Sequence, residues 1–155
     1  MIRSLEQELA ELPFFADLAP EARALLAGCA KNVQFDTDAR LFRTGDAADV
    51  FYVLRHGSVG LEAFAPARGP LLIETVGAGE VLGWSWLFPP YRWHFDARAL
   101  EPVRAVVFDG ACLREKCDTD PQLGYALMGR FAQVLIERLQ WTRLRLLDVY
   151  GRDGR

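Results

Sequence analysis

The residues best suited to chemistry lie in one stretch of the sequence, from Gly79 to Ala99. Three of the four tryptophans are found there. The pattern predicts the end of a strand, a tight turn at Gly83, one short helical turn stopped by two prolines, and a new strand. Because the first N–H groups of a helix have no partner within it, this stretch can receive an anion through its backbone. The candidate ligand-binding residues are Gly83, Trp84, Ser85, Trp86, Arg92, His94 and Phe95.

The rest of the sequence has no pattern that is typical of an enzyme. A metal enzyme on a small β-barrel needs several converging imidazole or carboxylate ligands, and the only histidines are His56 and His94. There is no Gly-x-Ser-x-Gly, Walker loop or His-Glu-x-x-His motif. Glu80 is interpreted as a residue at the rim of a predicted β-barrel, where its side chain forms hydrogen bonds with the backbone. It is not interpreted as a general base. We predict that the protein is not an enzyme and has neither catalytic residues nor a metal site.

Composition limits the partners and the compartment. The 155 residues predict one domain, and a net charge of −3 argues against a dedicated nucleic-acid-binding protein. There is no run of 18 apolar residues and the N-terminus is polar and acidic, so we expect neither a membrane span nor a signal peptide. A cytoplasmic location follows as an expectation. The three cysteines (Cys29, Cys112 and Cys117) are expected to be free thiols, and a redox pair of Cys112 with Cys117 is left open.

The N-terminal part, residues 1–32, is predicted to be helical. Apolar residues at helical spacing between residues 4 and 12 end at Pro13. Pro20 and Glu21 suit the first turn of a second helix, which is expected to end near Lys31-Asn32. Its predicted inward side chains are Ala22, Leu25, Leu26, Cys29 and Ala30.

Residues 33–112 are predicted to form a small β-barrel or jelly roll. Short β-prone runs alternate with glycine turns at the spacing of such folds. The most β-prone run is Val50–Leu54, and the segments Phe95–Leu100 and Val103–Phe108 are expected to form a hairpin around Glu101-Pro102. The predicted fold class is therefore mainly β with flanking helices, with the stretch 79–99 inside the barrel.

The last segment, residues 120–149, is predicted to be one long helix. Asp120 can cap it and Pro121 suits its first position. At 1.5 Å per residue, a helix of about 29 residues is about 44 Å long, which exceeds a small barrel. Pairing with a second copy explains this length, so we predict a two-fold dimer; the alternative is that the stripe packs on its own barrel. The stripe is Phe131, Leu135, Leu139, Thr142, Leu146 and Val149.

Over residues 13–149 the chain resembles the cyclic nucleotide-binding domain of the CRP/FNR family. Five segments in register carry the resemblance: Leu12-Pro13-Phe14-Phe15, Leu41-Phe42-Arg43-Thr44-Gly45-Asp46, Phe51-Tyr52-Val53-Leu54, Gly57-Ser58-Val59 and Gly79-Glu80-Val81-Leu82-Gly83. The resemblance implies a β-barrel followed by a long helix, a regulatory role, and cAMP or another cyclic nucleotide as the ligand. It also implies that the stretch after Gly83 is the phosphate-binding cassette.

The cassette departs from the family pattern at its main side-chain positions. The family glycine matches Gly83, but the glutamate that accepts the ribose hydroxyl is replaced by Trp84, and the phosphate-binding arginine falls on His94 by ungapped count. The following Ser or Thr falls on Phe95. Indole only donates, and an imidazole lacks the permanent charge and fork of arginine. Two lost charged hydrogen bonds of about 1.5–3 kcal/mol each weaken binding by roughly two to four orders of magnitude.

Arg92 is a candidate replacement for the missing charge. It lies two residues before His94, and Arg98 shares the same parity, so all three face one side of an extended segment. Three hypotheses for the cassette remain: a sensor of a cyclic nucleotide or related anion, a sensor of another ligand with the tryptophans stacking on it (or His94 binding haem), and a pocket filled by tryptophans.

We therefore expect a stand-alone regulatory or sensor module that is a homodimer through its last helix and acts on an unknown protein partner. Transcription factors of the resembling family continue into a winged helix-turn-helix. This chain ends a few residues after the predicted helix, so no DNA binding by the domain itself is expected. The alternative function is a ligand-free module for dimerisation or protein interaction.

Overall fold

The fold is built from five helices and eight strands in a computed structural model that describes residues 4–153, with side chains for residues 4–148. Three short helices come first, and two helices close the described chain. Their bounds are α1 Leu5–Ala10, α2 Pro13–Ala16, α3 Pro20–Ala27, α4 Gly110–Thr119 and α5 Pro121–Asp153. The strands are β1 Ala30–Phe35, β2 Arg40–Phe42, β3 Val50–His56, β4 Val59–Ala65, β5 Gly69–Val76, β6 Val81–Leu82, β7 Asp96–Ala99 and β8 Val103–Asp109.

The strands form two antiparallel four-stranded sheets, in the orders β1-β8-β3-β6 and β2-β7-β4-β5. One buried apolar cluster contains side chains of both sheets, so the sheets pack face to face as a jelly roll. The predicted fold class is confirmed, although the sheets do not close into a barrel. The described helices include none that is both long and apolar enough to cross a membrane.

The first sheet is covered on both faces, which explains its most apolar strand. Alternate side chains of β3 point to opposite faces. Tyr52 and Leu54 join the cluster between the sheets, whereas Phe51 and Val53 join a second cluster with the helices. A strand buried on both faces is apolar at nearly every position.

The second predicted helix is shorter than expected. α3 ends at Ala27, and Gly28 and Cys29 make the turn that leads into β1. Ala30 already pairs with Phe108 in the sheet, so the strand begins before the predicted position 33. The backbone groups from Ala30 onward therefore have hydrogen-bond partners in β8, in place of the last helical turn that was predicted.

The predicted hairpin around Glu101-Pro102 is wrong. β7 pairs with β2 and β4 in one sheet, whereas β8 pairs with β1 and β3 in the other. The segment between them crosses from one sheet to the other. It packs against the segment from β3 to β4, which also crosses between the sheets. A Cβ at Gly57, whose φ is 89°, would collide with the carbonyl of Pro102. The turn residues predicted a reversal correctly but could not specify which strand lies opposite.

The long C-terminal helix begins as predicted and extends further. The Asp120 side chain accepts a hydrogen bond from Leu123 N–H at 3.2 Å, and Pro121 is the first helical residue. α5 runs to Asp153, four residues beyond the predicted end. Its first half packs on the core, since the three residues Leu123, Leu127 and Phe131 are almost fully buried. The side chain of Val149, the last residue of the predicted stripe, lies outside the described side chains.

The expectation of free thiols is wrong for two of the three cysteines. Cys29 and Cys112 form a disulfide across 83 residues of sequence, with their Cα atoms 5.7 Å apart. Antiparallel pairing of β1 with β8 places the start of β1 beside the start of α4, which brings the two cysteines together. Cys117 is the free cysteine, so the alternative pair of Cys112 with Cys117 is not formed.

The disulfide should stabilise the fold measurably. Replacing Cys29 and Cys112 together by serine is expected to lower the free energy of unfolding by about 2–4 kcal/mol, because the unfolded chain regains the freedom of a long loop. Chemical unfolding of the non-reduced proteins measures the difference, with Cys117→Ser as the matched control. Equal stability of the double variant and the non-reduced parent would contradict a formed disulfide.

Candidate functional site

The stretch from Gly79 to Ala99 follows the path predicted from its sequence. β6 ends at Leu82, Gly83 turns with a φ of 95°, and a short 3₁₀ helix spans Ser85–Leu87. After the two prolines, Arg92 forms an isolated β-bridge with Ala47, and β7 begins at Asp96. The stretch therefore connects the two sheets, and its turn lies where they meet.

Gly83 is required at the turn for two reasons. Its positive φ is strained for residues with a Cβ. In addition, a Cβ would lie 2.7 Å from the ring of Trp93. That indole is 5% exposed and stacks on Phe42, with ring centroids 3.8 Å apart and planes 10° apart. Trp93 thus occupies the space directly in front of the glycine turn.

A small cavity of about 40 Å³ lies beside this stack. It is lined by Phe42, Leu61, Gly83, Trp84, Ser85, Trp93, His94, Phe95 and Arg138. Pockets for drug-sized ligands have volumes of roughly 300–1,000 Å³. The cavity therefore has the lining of an aromatic binding site but a volume close to that of one water molecule.

Five of the seven candidate residues line this cavity: Gly83, Trp84, Ser85, His94 and Phe95. Trp86 is 1% exposed and lies in the buried cluster between the first sheet and the helices. Its ring stacks on that of Phe51, with the centroids 5.4 Å apart. Arg92 is exposed and donates to the carbonyl of Gly45 at 3.2 Å. The structure thus brings together the positions around the glycine turn and places Trp86 and Arg92 elsewhere.

Arg98, the other arginine predicted to face the same side as His94, is also engaged away from the cavity. Its Nη2 lies 3.0 Å from a carboxylate oxygen of the buried Glu62, and its Nη1 lies 2.7 Å from Asp38. These hydrogen bonds raise the pKa of Arg98. Arg98, in β7, therefore links its own strand to β4 through Glu62 and to the turn before β2 through Asp38.

Asp96 fixes the end of the stretch against a neighbouring loop. One carboxylate oxygen accepts hydrogen bonds from the Thr44 N–H at 2.7 Å and hydroxyl at 2.9 Å, and the other accepts from Arg40 at 2.8 Å. The backbone hydrogen bond from Thr44 is the main reason that the pKa of Asp96 is lowered. Glu80 has a comparable structural role, because it accepts from the Gly77 N–H at 3.0 Å, as its interpretation as a rim residue predicted.

Arg138, on α5, is the cavity residue that the sequence reasoning missed. It donates to the carbonyl of Val81, and its guanidinium carbon lies 4.8 Å from the centre of the Trp84 ring. Its Nε lies 3.8 Å from Glu74. Burial lowers the pKa of Arg138, and the charges of Glu74 and Glu80 oppose that shift.

A sequence signal for Arg138 exists in hindsight. It lies seven residues after Phe131, and therefore two turns further along the barrel-facing side of the helix. The predicted dimer stripe begins with Phe131, but this residue packs on the core of its own chain. The arginines that follow it at seven-residue steps, Arg138 and Arg145, therefore lie on the core-facing side of the helix.

A second, larger cavity of about 450 Å³ lies between α5, α2 and the β5–β6 segment. It is lined by Pro13, Phe14, Glu74, Thr75, Gly79, Glu80, Val81, Arg130, Val134, Glu137, Arg138, Trp141 and Arg145. Its charged residues are three glutamates and three arginines, so their formal charges cancel. Between residues 4 and 148, no cluster of His, Cys, Asp and Glu side chains is arranged to hold a metal ion.

The two sheets, the glycine turn and the long helix define a cyclic nucleotide-binding sensor-domain fold. The chain belongs to the cyclic nucleotide-binding domain family, which residues 32–120 match. It is 27% identical over 149 residues to a CRP-like cAMP-activated global transcriptional regulator of Mycobacterium tuberculosis. That alignment covers 96% of this chain, which spans 65% of the relative's length.

Solved structures agree with this assignment. A crystal structure of a protein from Geobacter metallireducens, described as cyclic nucleotide-binding, is 32% identical and superposes with a TM-score of 0.78. The match covers 90% of this chain and 99% of that one. The regulatory domain of Toxoplasma gondii PKA, solved with cAMP, is 18% identical with a TM-score of 0.67, covers 87% of this chain and 48% of its own, and supports the fold alone.

Proposed function

We propose that this domain is a non-enzymatic regulatory module that binds a cyclic nucleotide or another small anionic ligand in the cassette and transmits binding through α5 to a protein partner. The observation that carries the proposal is that Arg138 of α5 lines the same cavity as Gly83 and Trp84. The long helix thus forms part of the cavity wall. The family match and the cAMP-activated relative support the ligand class.

The proposed relay follows from the size of the cavity. A cyclic nucleotide is far larger than 40 Å³, so the wall has to move when it enters. The movable parts are the Trp93 ring, which fills the space before the turn, and Arg138, which belongs to the helix. Displacement of Arg138 weakens its contacts with Val81 and Trp84 and shifts α5 relative to the sheets.

We also propose that the protein is a homodimer, and that its dimer surface is the outer side of α5. Two sets of residues recur there every seven positions, as in a coiled coil. They are Tyr125, Ala132, Leu139 and Leu146 in the first set, and Met128, Leu135, Thr142 and Val149 in the second. Tyr125 is 86% exposed, and Leu139 and Leu146 are about half exposed. Exposed apolar side chains at heptad spacing favour pairing with α5 of a second copy.

Pairing through α5 is tested by mass in solution. The parent is expected to have twice the 17.4 kDa mass of one chain. Leu139→Glu is expected to have the mass of one chain, because it places a charge between the two paired helices. Sedimentation velocity at micromolar concentration measures both. Gln140→Glu adds the same charge to an exposed neighbour and should remain a dimer. A parent of single mass, or a Leu139→Glu dimer, would contradict the pairing.

A ligand-free interaction module is the second candidate, and the stacked Trp93 and Phe42 favour it. Their contact fills the pocket with protein side chains, as in a closed structural core. In that case the domain pairs through α5 and binds its partner without a small molecule. This candidate shares the fold and the dimer with the first and differs only in its response to ligand.

Thermal unfolding with and without excess cAMP separates the two candidates, with cGMP alongside. Ligand at about 100 times its dissociation constant adds about 2.7 kcal/mol to stability, which for a domain of this size raises Tm by several degrees. The sensor proposal predicts a saturable rise for at least one of them, with AMP and GMP as non-cyclic controls. No rise at millimolar cAMP or cGMP would exclude both nucleotides as ligands and leave either another small anion or the ligand-free candidate.

A further inference from the structure

Arg138 has a buried donor that its structural contacts do not use. The side chain is 12% exposed. Its Nη2 donates to Val81 and its Nε faces Glu74, but Nη1 is buried and has no hydrogen-bond partner among the described residues. Buried donors in native proteins are nearly always paired. Nη1 is therefore free to donate to a further acceptor.

Another arginine on the same helix shows what a purely structural role looks like. Arg130, two turns earlier, donates to the carbonyls of Phe14 at 2.8 Å and Pro13 at 3.0 Å, and to Gln133 at 2.6 Å. Each of its three nitrogens has an acceptor. Arg138 differs because it is similarly buried and yet leaves one nitrogen unpaired.

The position of Arg138 indicates what the acceptor is. Of the residues that line the two cavities, only Arg138 lines both. In the large cavity the negative charges of the glutamates offset the positive charges of the arginines, so that cavity is unfavourable for binding an anion. In the small cavity beside Gly83, here called the cassette cavity, Arg138 is the only Lys or Arg. Four of the other eight lining residues are Phe or Trp: Phe42, Trp84, Trp93 and Phe95. One cation among flat rings suits a flat ligand with a single negative charge.

We propose that Arg138, from the long helix, supplies the positive charge that holds the anionic phosphate of the ligand in the cassette cavity. The inference rests on the proposed function and names the residue that fixes its ligand class, a singly charged phosphodiester carried on a flat base. The unpaired Nη1 carries two N–H groups that can donate to phosphate, and an arginine remains charged when buried. Arg138 thus takes over the permanent charge that Arg92 and Arg98, which are engaged elsewhere, do not bring into the cavity. Because Arg138 belongs to α5, the ligand's charge acts directly on the helix.

The test compares Arg138→Gln and Arg138→Lys with the parent and with Arg143→Gln. Arg143 is exposed on the same helix and lines neither cavity, so its variant controls for net charge. Calorimetric titration with cAMP is expected to show affinity about ten- to hundredfold weaker for Arg138→Gln, a smaller loss for Arg138→Lys, and no loss for Arg143→Gln. Circular dichroism checks that each variant is folded, and Arg138→Lys keeps the test valid should the glutamine variant not fold.

The outcomes separate this inference from the proposed function. If the parent binds cAMP and a folded Arg138 variant binds it equally well, the role of Arg138 is overturned while the proposed function stands. If the parent binds neither cAMP nor cGMP, the cyclic-nucleotide form of the proposed function fails, and anion binding at Arg138 (the anion seat) is tested by itself with inorganic phosphate at constant ionic strength. Thermal stabilisation of the parent and of Arg143→Gln, but not of Arg138→Gln, then supports the seat; equal or absent stabilisation overturns it.

Discussion

The packing of Phe131 against the aromatic core is the interaction on which the arrangement of the site depends. Its ring lies 5.1 Å from that of Phe14, 5.0 Å from that of Phe51 and 5.6 Å from that of Trp86, in edge-to-face geometry. These three partners come from α2, from β3 and from the short helix after Gly83. One side chain of α5 therefore contacts the N-terminal helices, the sheet and the cassette stretch together. Two turns further along the helix, this anchoring places Arg138 over Trp84.

The same packing connects Trp86, which does not line the small cavity, to the C-terminal helices. Trp86 is buried against Phe51 and Phe131, and its carbonyl accepts a hydrogen bond from Arg114 of α4 at 2.7 Å. The short helix thus contacts both C-terminal helices, through one apolar contact with Phe131 and one charged hydrogen bond with Arg114. Arg138 adds a second connection, which is polar and adjoins the cavity itself. These two connections between the stretch after Gly83 and α5 are the contacts through which the proposed relay would act.

Local signals predicted much of the fold, and the failures have one common cause. The Asp120 cap with Pro121, the turn at Gly83 and the apolar run of β3 depend on neighbours in sequence, and all were predicted from it. The hairpin around Pro102, the end of α3 and the Cys29–Cys112 disulfide depend on which strands face each other. That pairing is decided by packing between distant segments, which periodicity does not report.

The candidate site shows the same division. Five positions around Gly83 are adjacent in sequence or lie a few residues apart, and the resemblance to a known family located them. Arg138 lies 55 residues further on, and its role depends on how α5 crosses the cassette. Parity placed Arg92 and Arg98 on the side of His94, but the β-bridge to Ala47 and the ion pair with Glu62 direct their side chains to other partners.

The central claim is that the cassette cavity and α5 respond as one unit. Amide hydrogen exchange of the protein, followed by mass spectrometry with and without saturating cAMP, tests it. We expect a change in exchange in peptides from residues 79–99 and also in peptides from residues 130–145 of the long helix. A change confined to residues 79–99, with exchange in α5 unaltered at saturation, would contradict it, as would the absence of any change.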